Sequence, residues 1–346
     1  EIEIKTNLRD FTLAEIEEMM AECGEPKFRA KQIFEWLYKT ESGFDAMTNV
    51  PKRLKERLAE KYSANGLKIS KKFVSSIDET RRYLLQLEDG RFIESVLMKY
   101  HHGYTICVSS QVGCAMGCAF CASTKGGKIR NLTAGEIIGQ VAAVQNDLGE
   151  RISNIVLMGM GEPLDNFDNV MKFLENVNNP LGLGIGQRHI SLSTCGICDR
   201  IYELADRDLQ ITLSISLHAV TDEKRSRIMP INRRYNIETL MSACRYYIKK
   251  TNRRISFEYT LISGVNDTTD EAKALLSLIS GMLCHVNLIP VNKVSGTGFS
   301  PTVARSVERF RQTLENGGVS ATVRREMGAD ISAACGQLRA AAEGIQ

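Results

Sequence analysis

Apolar positions in the first 65 residues recur at helical spacing. Leu13, Ile16, Met19, Met20 and Cys23 share one face of a helix that Thr12-x-x-Glu15 opens as a capping box and Gly24 closes. Phe28 to Tyr38, with Ile33, Trp36 and Leu37 apolar, predicts a second helix. Leu54, Leu58 and Tyr62 predict a third, opening near Pro51. Three short helices imply a small accessory domain over residues 1–66. From Leu67 to Met98 the pattern turns to strand. Tyr83–Leu87 and Phe92–Met98 flank Asp89-Gly90, a strong hairpin turn, so residues 67–103 are expected to form a β-hairpin extension and linker.

After Tyr104 strand and helix alternate six times. The strands are predicted at Thr105–Ser109, Ile155–Met158, His189–Ser193, Ile211–Leu217, Ile255–Leu261 and Val286–Val291, and Thr133-x-x-Glu136 caps the first intervening helix. The run Ile155-Val-Leu-Met158 suits a strand covered on both faces. Such repetition implies an α/β fold with a parallel sheet, and six units suit an open or partial barrel over residues 104–346.

At 346 residues the chain exceeds one ordinary domain, which agrees with this division. No apolar run approaches the ~20 residues that span a bilayer, and no leader pattern starts at Glu1, so a cytoplasmic location is expected. Forty-four basic against 41 acidic residues leave a net charge of only +3, so a nucleic-acid partner must be argued from local clusters. Four exist: Lys68, Lys71, Lys72, Arg81 and Arg82; Lys125, Lys128 and Arg130; Arg233 and Arg234 beside Tyr235; and Lys249, Lys250, Arg253 and Arg254. The last group reads equally well as a solvated helix face, whereas Lys125–Arg130 borders the cysteine cluster described next.

Three of the ten cysteines fall within eight residues, Cys114-x3-Cys118-x2-Cys121, directly after the first barrel strand. Three thiolates on a glycine-containing loop can hold a cuboidal iron–sulfur cluster and leave one metal corner open for a substrate. A zinc site with a distant fourth ligand and three unrelated buried thiols are the alternatives. Gly159-Met-Gly161-Glu162-Pro163 follows the second barrel strand. Ser193, Ser216-Leu217-His218 and Asn292 sit at the C-terminal ends of later ones, the rim where parallel barrels place their active sites.

With these residues in place the chain resembles the radical S-adenosylmethionine superfamily. The resemblance implies a partial (β/α)6 barrel, a [4Fe-4S] cluster on Cys114, Cys118 and Cys121, and S-adenosylmethionine bound at the fourth iron. Gly161 and Glu162 match a glycine-rich motif that contacts the methionine part, and Ser193, Ser216, Leu217, His218 and Asn292 are further expected cofactor-binding residues.

A closer resemblance covers nearly the whole chain. Cys107-Val-Ser-Ser-Gln-Val-Gly-Cys114, Asn131-Leu-Thr, Met158 to Leu164, Ser216-Leu-His-Ala219, Met229-Pro-Ile-Asn232, Gly264-Val-Asn-Asp267, His285 to Pro290 and Ala333-Ala-Cys335-Gly-Gln-Leu338 are similar to the radical adenine methyltransferases of ribosomal RNA. That resemblance implies methylation of adenine C2 in 23S rRNA, and of the tRNA adenosine beside the anticodon. Two S-adenosylmethionine molecules would be used per turnover. Cys335 would carry an S-methyl intermediate, Glu94 would act as base, and Cys107 would release the product through a transient disulfide that a thiol reductant reopens. A low-potential, flavodoxin-like electron donor and a monomeric state are also expected. A related resistance branch methylates C8 of the same rRNA nucleotide; Arg324-Arg-Glu326, among other stretches, looks more like the C2 branch. Without the resemblance, Cys107 reads as strand core, Cys335 as a buried cysteine in an Ala-rich helical tail, and Glu94 as an outward-facing strand residue. A radical enzyme acting on a small metabolite and a zinc module that binds RNA are the readings from other classes.

Overall fold

The capping boxes and apolar stripes resolve into helices close to where the pattern puts them. A computed structural model describes residues 5–292, 294 and 296–338. The end of the expected C-terminal segment, residues 339–346, lies outside the described residues. β1 (Thr6–Asn7) leads to α1 (Leu13–Glu22), α2 (Phe28–Lys39) and α3 (Lys52–Lys61), and β2 (Tyr62–Ser63) pairs back onto β1. Thr12 and Glu15 form the expected reciprocal cap. Tyr62, expected on the third helix, is already in β2, because its backbone at φ −123° and ψ 156° is extended.

The predicted hairpin is part of a three-stranded antiparallel meander. β3 (Lys68–Val74), β4 (Arg81–Gln86) and β5 (Phe92–Tyr100) run edge to edge and continue into β6 (Gly103–Cys107). After β6 come a small hairpin, β7 (Gln111–Gly113) with β8 (Lys128–Asn131), and α4 (Ala134–Leu148), capped by Thr133 and Glu136. Then β9 (Ile152–Leu157), α5 (Phe167–Asn178), β10 (Ile190–Thr194), α6 (Cys198–Ala205), β11 (Thr212–Ser216), α7 (Asp222–Ile228) and α8 (Ile237–Thr251) alternate. The chain continues through β12 (Ile255–Leu261), α9 (Thr269–Leu278), β13 (Cys284–Pro290), α10 (Ala304–Asn316) and β14 (Ala321–Val323).

One ten-stranded sheet results, ordered β14-β13-β12-β11-β10-β9-β6-β5-β4-β3. The six predicted strands are present and parallel, with ends shifted by up to three residues. β14 is an addition to the expected six: three residues after Gly317-Gly318 are too short to show a period of two.

Strand alternation sorts the two faces. Leu192, Leu213, Ile215, Phe257, Tyr259 and Leu288 join the helices in one apolar core. Ser193, Ser216, Glu258 and Thr260, at the intervening positions, face the opposite side and line a cavity. The helical module shares that core through Leu8, Ile16, Phe34 and Leu37. Asp10 accepts a hydrogen bond from the Gly135 N–H at the start of α4, and Lys172 on α5 pairs with Glu15 at 2.6 Å. Among the described residues no helix is long and apolar enough to cross a membrane.

Gln140 on α4 ties the helix to the sheet beneath Cys107. Its Oε1 accepts from the Ser109 N–H and the Ser95 hydroxyl, and its Nε2 donates to the Ser109 carbonyl, each at 2.8 Å in a buried setting. Gln140→Leu strands these groups, at about 1–3 kcal/mol per unsatisfied partner. We expect a loss of ~2–4 kcal/mol, read as a lowered denaturation midpoint; an unchanged midpoint would refute this tie.

Candidate active site

β6 ends at Cys107, and the chain then turns up into the cysteine loop. Gly113 stands at φ +76°, where an added Cβ would lie 1.9 Å from the Gly127 carbonyl, so only glycine lets β7 close on β8. The same carbonyl accepts from the Cys114 N–H at 3.0 Å. Gly161, at φ +100°, lies so near Gln111 that a Cβ would meet its side chain at 2.6 Å. These two close approaches bring the cysteine loop and the turn after β9 against each other.

Cys114, Cys118 and Cys121 line one cavity of about 160 Å³ together with Gly161, Glu162, Ser193, Ser216, His218 and Asn292. Burial pushes the Cys114 thiol up to about 12 and raises those of Cys118 and Cys121. Uncharged sulfurs in such a place become ligands only if a cation enters and displaces their protons. Among the described residues no three His, Cys, Asp or Glu side chains converge closely enough for a single metal ion. Three cysteine sulfurs on one loop beside a cavity are a donor set that suits an iron–sulfur cluster with one iron left open for a substrate.

The other expected cofactor residues divide by what they touch. Glu162 is buried, and its carboxylate accepts from the Leu164 N–H at 3.0 Å and the Cys195 N–H at 2.8 Å; burial raises its pKa. It thus braces the turn after β9 against the end of β10. His218, at φ +57°, accepts the Thr260 N–H on Nδ1 at 2.9 Å and meets Phe120 edge to face. Burial and then the nearby Arg225 charge lower its pKa to about 3, so it is neutral, with its remaining proton on Nε2. Leu217 does not enter the cavity wall; its side chain is fully buried in the core.

A second cavity of about 490 Å³ adjoins the first and is lined by Val96, Met98, Tyr100, Cys107, Met158, Arg324 and Cys335. Cys335 and Asn292 line both. Cys107 is buried under Val96, Met160, Ala333 and Leu338, and its thiol is pushed up to about 12, by burial first and the Cys335 sulfur second. Cys335 is exposed; both are free thiols.

The segment carrying Cys335 is not the helical tail the Ala-rich pattern predicts. After one turn at Ala329–Ile331 it is irregular, with Gly328, Ser332 and Gly336 at positive φ. Hydrogen bonds to other elements strap it down: Ala122 N–H to the Gly336 carbonyl at 2.7 Å, Asn292 Nδ2 to the Cys335 carbonyl at 2.9 Å, and Gly328 N–H to Asp78 at 2.9 Å. Glu94 is buried rather than outward-facing. It lies on the Val96 face of β5 but outside the wall of either cavity, with its carboxylate 3.0 Å from Arg82 Nη1.

Residues 108–276 match the model of the radical SAM superfamily, and residues 6–63 that of the ribosomal RNA large subunit methyltransferase N-terminal domain. A "probable dual-specificity RNA methyltransferase RlmN" from Clostridium perfringens (strain SM101 / Type A) is 59% identical over 334 residues, 96% of each chain. The protein of that name from Alkaliphilus oremlandii is 56% identical over 335 residues, 97% of this chain and 98% of the other. The chain belongs to the RlmN family. A crystal structure of a radical SAM methyltransferase from Sphaerobacter thermophilus, 45% identical, superposes with a TM-score of 0.93 over 97% of this chain and all of the other.

As a radical SAM RNA methyltransferase of the RlmN family, the protein has a [4Fe-4S] cluster and S-adenosylmethionine as its cofactors. Sequence reasoning gave no site role to Glu258 and Arg324, which line the cavity, or to Arg225, which braces its rim. Glu258 is a lone acid in the apolar strand Ile255–Leu261, a signal visible in the pattern. Arg225 is fully buried, its guanidinium donating to the carbonyls of Cys195, Ser216 and Leu217; nothing in the polar run of α7 marks it. Cys195 lines the first cavity as well. We predict that Cys118→Ala loses the brown iron absorption of anaerobically reconstituted protein, whereas Cys195→Ala keeps it. Loss in both variants would assign Cys195 to the ligand set.

Proposed function

We propose that the protein methylates C2 of an adenosine in 23S rRNA and of a tRNA adenosine beside the anticodon, with Cys335 as methyl carrier. The dual-specificity names of the relatives support two RNA substrates. The observation that carries the mechanism is that Cys335 lines both cavities, the one holding Cys114, Cys118 and Cys121 and the one holding Cys107.

Adenine C2 is electron-poor and bears hydrogen, so it does not attack a sulfonium methyl group as an amine would. A cluster held by Cys114, Cys118 and Cys121, with S-adenosylmethionine bound, would supply a 5′-deoxyadenosyl radical. Cys335, methylated beforehand by a first S-adenosylmethionine, presents its S-methyl carbon to that radical and then to the base. That carbon gives up a hydrogen atom to the radical, and its own unpaired electron forms the new C–C bond; the tethered adduct that results would pass its remaining unpaired electron to the oxidised cluster. The family resemblance gives the proton of the attacked carbon to Glu94, which would first have to leave Arg82 and reach the cavity. The Cys107 sulfur bonds to the Cys335 sulfur as the old S–C bond breaks, leaving its electron pair on the new methyl carbon, which takes a proton. A thiol reductant reopens the disulfide. The second cavity, at about 490 Å³, lies in the range that encloses small ligands, and its Tyr100 and Met98 offer apolar surface to a nucleobase.

Affinity for RNA does not come ready-made from the cluster at Lys125–Arg130. Lys128 pairs with Asp165 at 2.7 Å, and Arg130 with Glu136 and Asp89, each at 2.7 Å. A phosphate at these positions competes with those carboxylates, which weakens what either cation contributes to binding.

Cys107→Ala is expected to accumulate an RNA–protein adduct stable to denaturing gels, and Cys335→Ala to give neither adduct nor product. Methylation surviving in Cys335→Ala would overturn the carrier role. Nuclease digestion of the product with mass spectrometry and NMR reads the carbon: methyl at C2 supports the proposal and methyl at C8 refutes it.

A further inference from the structure

Arg324 directly follows β14, and nothing in the steps above uses it. Its Nη1 lies 3.4 Å from the Cys335 sulfur and its Nη2 3.3 Å from the Met158 sulfur. Its backbone N–H is fixed on the Leu288 carbonyl at 2.8 Å, and it lines both cavities. Behind it, Glu258 stands 3.8 Å from Nη1 and is itself held by Asn287 Nδ2 at 2.9 Å and the Ser256 hydroxyl at 3.2 Å. A chain of contacts thus runs from β13 and β12 through the guanidinium to the exposed sulfur of the site.

We propose that Arg324, anchored by Glu258, holds Cys335 as a thiolate and aims it at the sulfonium methyl group. This rests on the reading that Cys335 is the methyl acceptor. The chemistry asks for such a group: a thiol is a poor nucleophile and a thiolate a good one. Cys335 gives its proton to water, and its electron pair then forms the bond to the methyl carbon. The pair of the broken C–S bond stays on S-adenosylhomocysteine. A thiolate and a sulfonium become two neutral thioethers, and Arg324 is left with Glu258 as its counter-charge.

The other groups facing the Cys335 sulfur oppose its ionisation or lie further off. Cys107 on β6 adds negative charge when ionised, Cys121 on the cysteine loop is one of the sulfurs assigned to the cluster, Tyr100 comes from β5, and Arg325 follows Arg324. Among the described residues, Arg324 is the cation with a hydrogen bond to this sulfur. Its own pKa is raised, first by the Cys335 charge, against desolvation, and further by Glu258.

The test is the pH profile of Cys335 alkylation, read by peptide mass spectrometry after short iodoacetamide pulses on full-length, cluster-containing protein with Cys335 unmethylated. We expect Arg324→Gln to slow alkylation about tenfold at neutral pH and move the midpoint up by about one unit, with Arg324→Lys in between. Glu258→Gln shifts the midpoint the other way, because the guanidinium then serves the thiolate alone. A profile in Arg324→Gln that superimposes on the native one overturns the proposal. So does a Glu258→Gln shift in the same direction as that of Arg324→Gln, or a Glu258→Gln midpoint raised above the native one, an arm that stands even if Arg324→Gln does not fold. Failure here leaves the carrier role of Cys335 untouched, since that role fails only if Cys335→Ala still methylates RNA.

Discussion

The site depends on the double pairing of β6. This strand runs antiparallel to β5 and parallel to β9, so it joins the meander to the barrel. Its last residue, Cys107, is registered against Val96 on one side and Val156 on the other. A slip of one residue would turn the sulfur to the opposite face and into the helix-packed core. Since the cysteine loop begins a few residues later and the turn after β9 rests on Gln111, the same pairing fixes the distance between Cys107 and the cysteine loop. β5, through Val96, Met98 and Tyr100, is therefore part of the wall of the second cavity.

Much of this was legible from the chain. The capping boxes at Thr12 and Thr133 and the apolar runs marked the helices and strands because their signals are local. The position of Ser193, Ser216 and Asn292 at the C-terminal rim follows from parallel strand order alone. What was not legible depends on contacts distant in sequence. β14 is three residues long and exists because β13 offers an edge to pair with. The helical propensity of the alanines around Cys335 is overridden by the strap that holds residues 328–338. Its partners Asp78, Ala122 and Asn292 come from other parts of the chain, Asp78 from 250 positions away. Glu94 looked exposed on a strand pattern, but Arg82 on the next strand and the neighbouring elements bury it.

Charge follows a similar logic. The net +3 is small, and several basic groups near the site are already matched: Lys128 with Asp165, Arg130 with Glu136 and Asp89, Arg82 with Glu94. Pairing of this kind lowers the net positive field at these positions, so a phosphate there competes with a carboxylate.

Burial separates the two sulfurs of the proposed cycle. Cys107 sits beneath Ala333 and Leu338 of the very segment that carries Cys335, so solvent thiols and oxidants reach it poorly, and its thiol is held protonated by that burial. Cys335 is exposed and touches a guanidinium, the setting of a nucleophile. In the proposed cycle this difference would let Cys335 react first and Cys107 only once Cys335 carries a substituted sulfur. The order of events in the proposed cycle follows from the difference between their surroundings, and it requires no large movement of the barrel: both sulfurs already border one cavity.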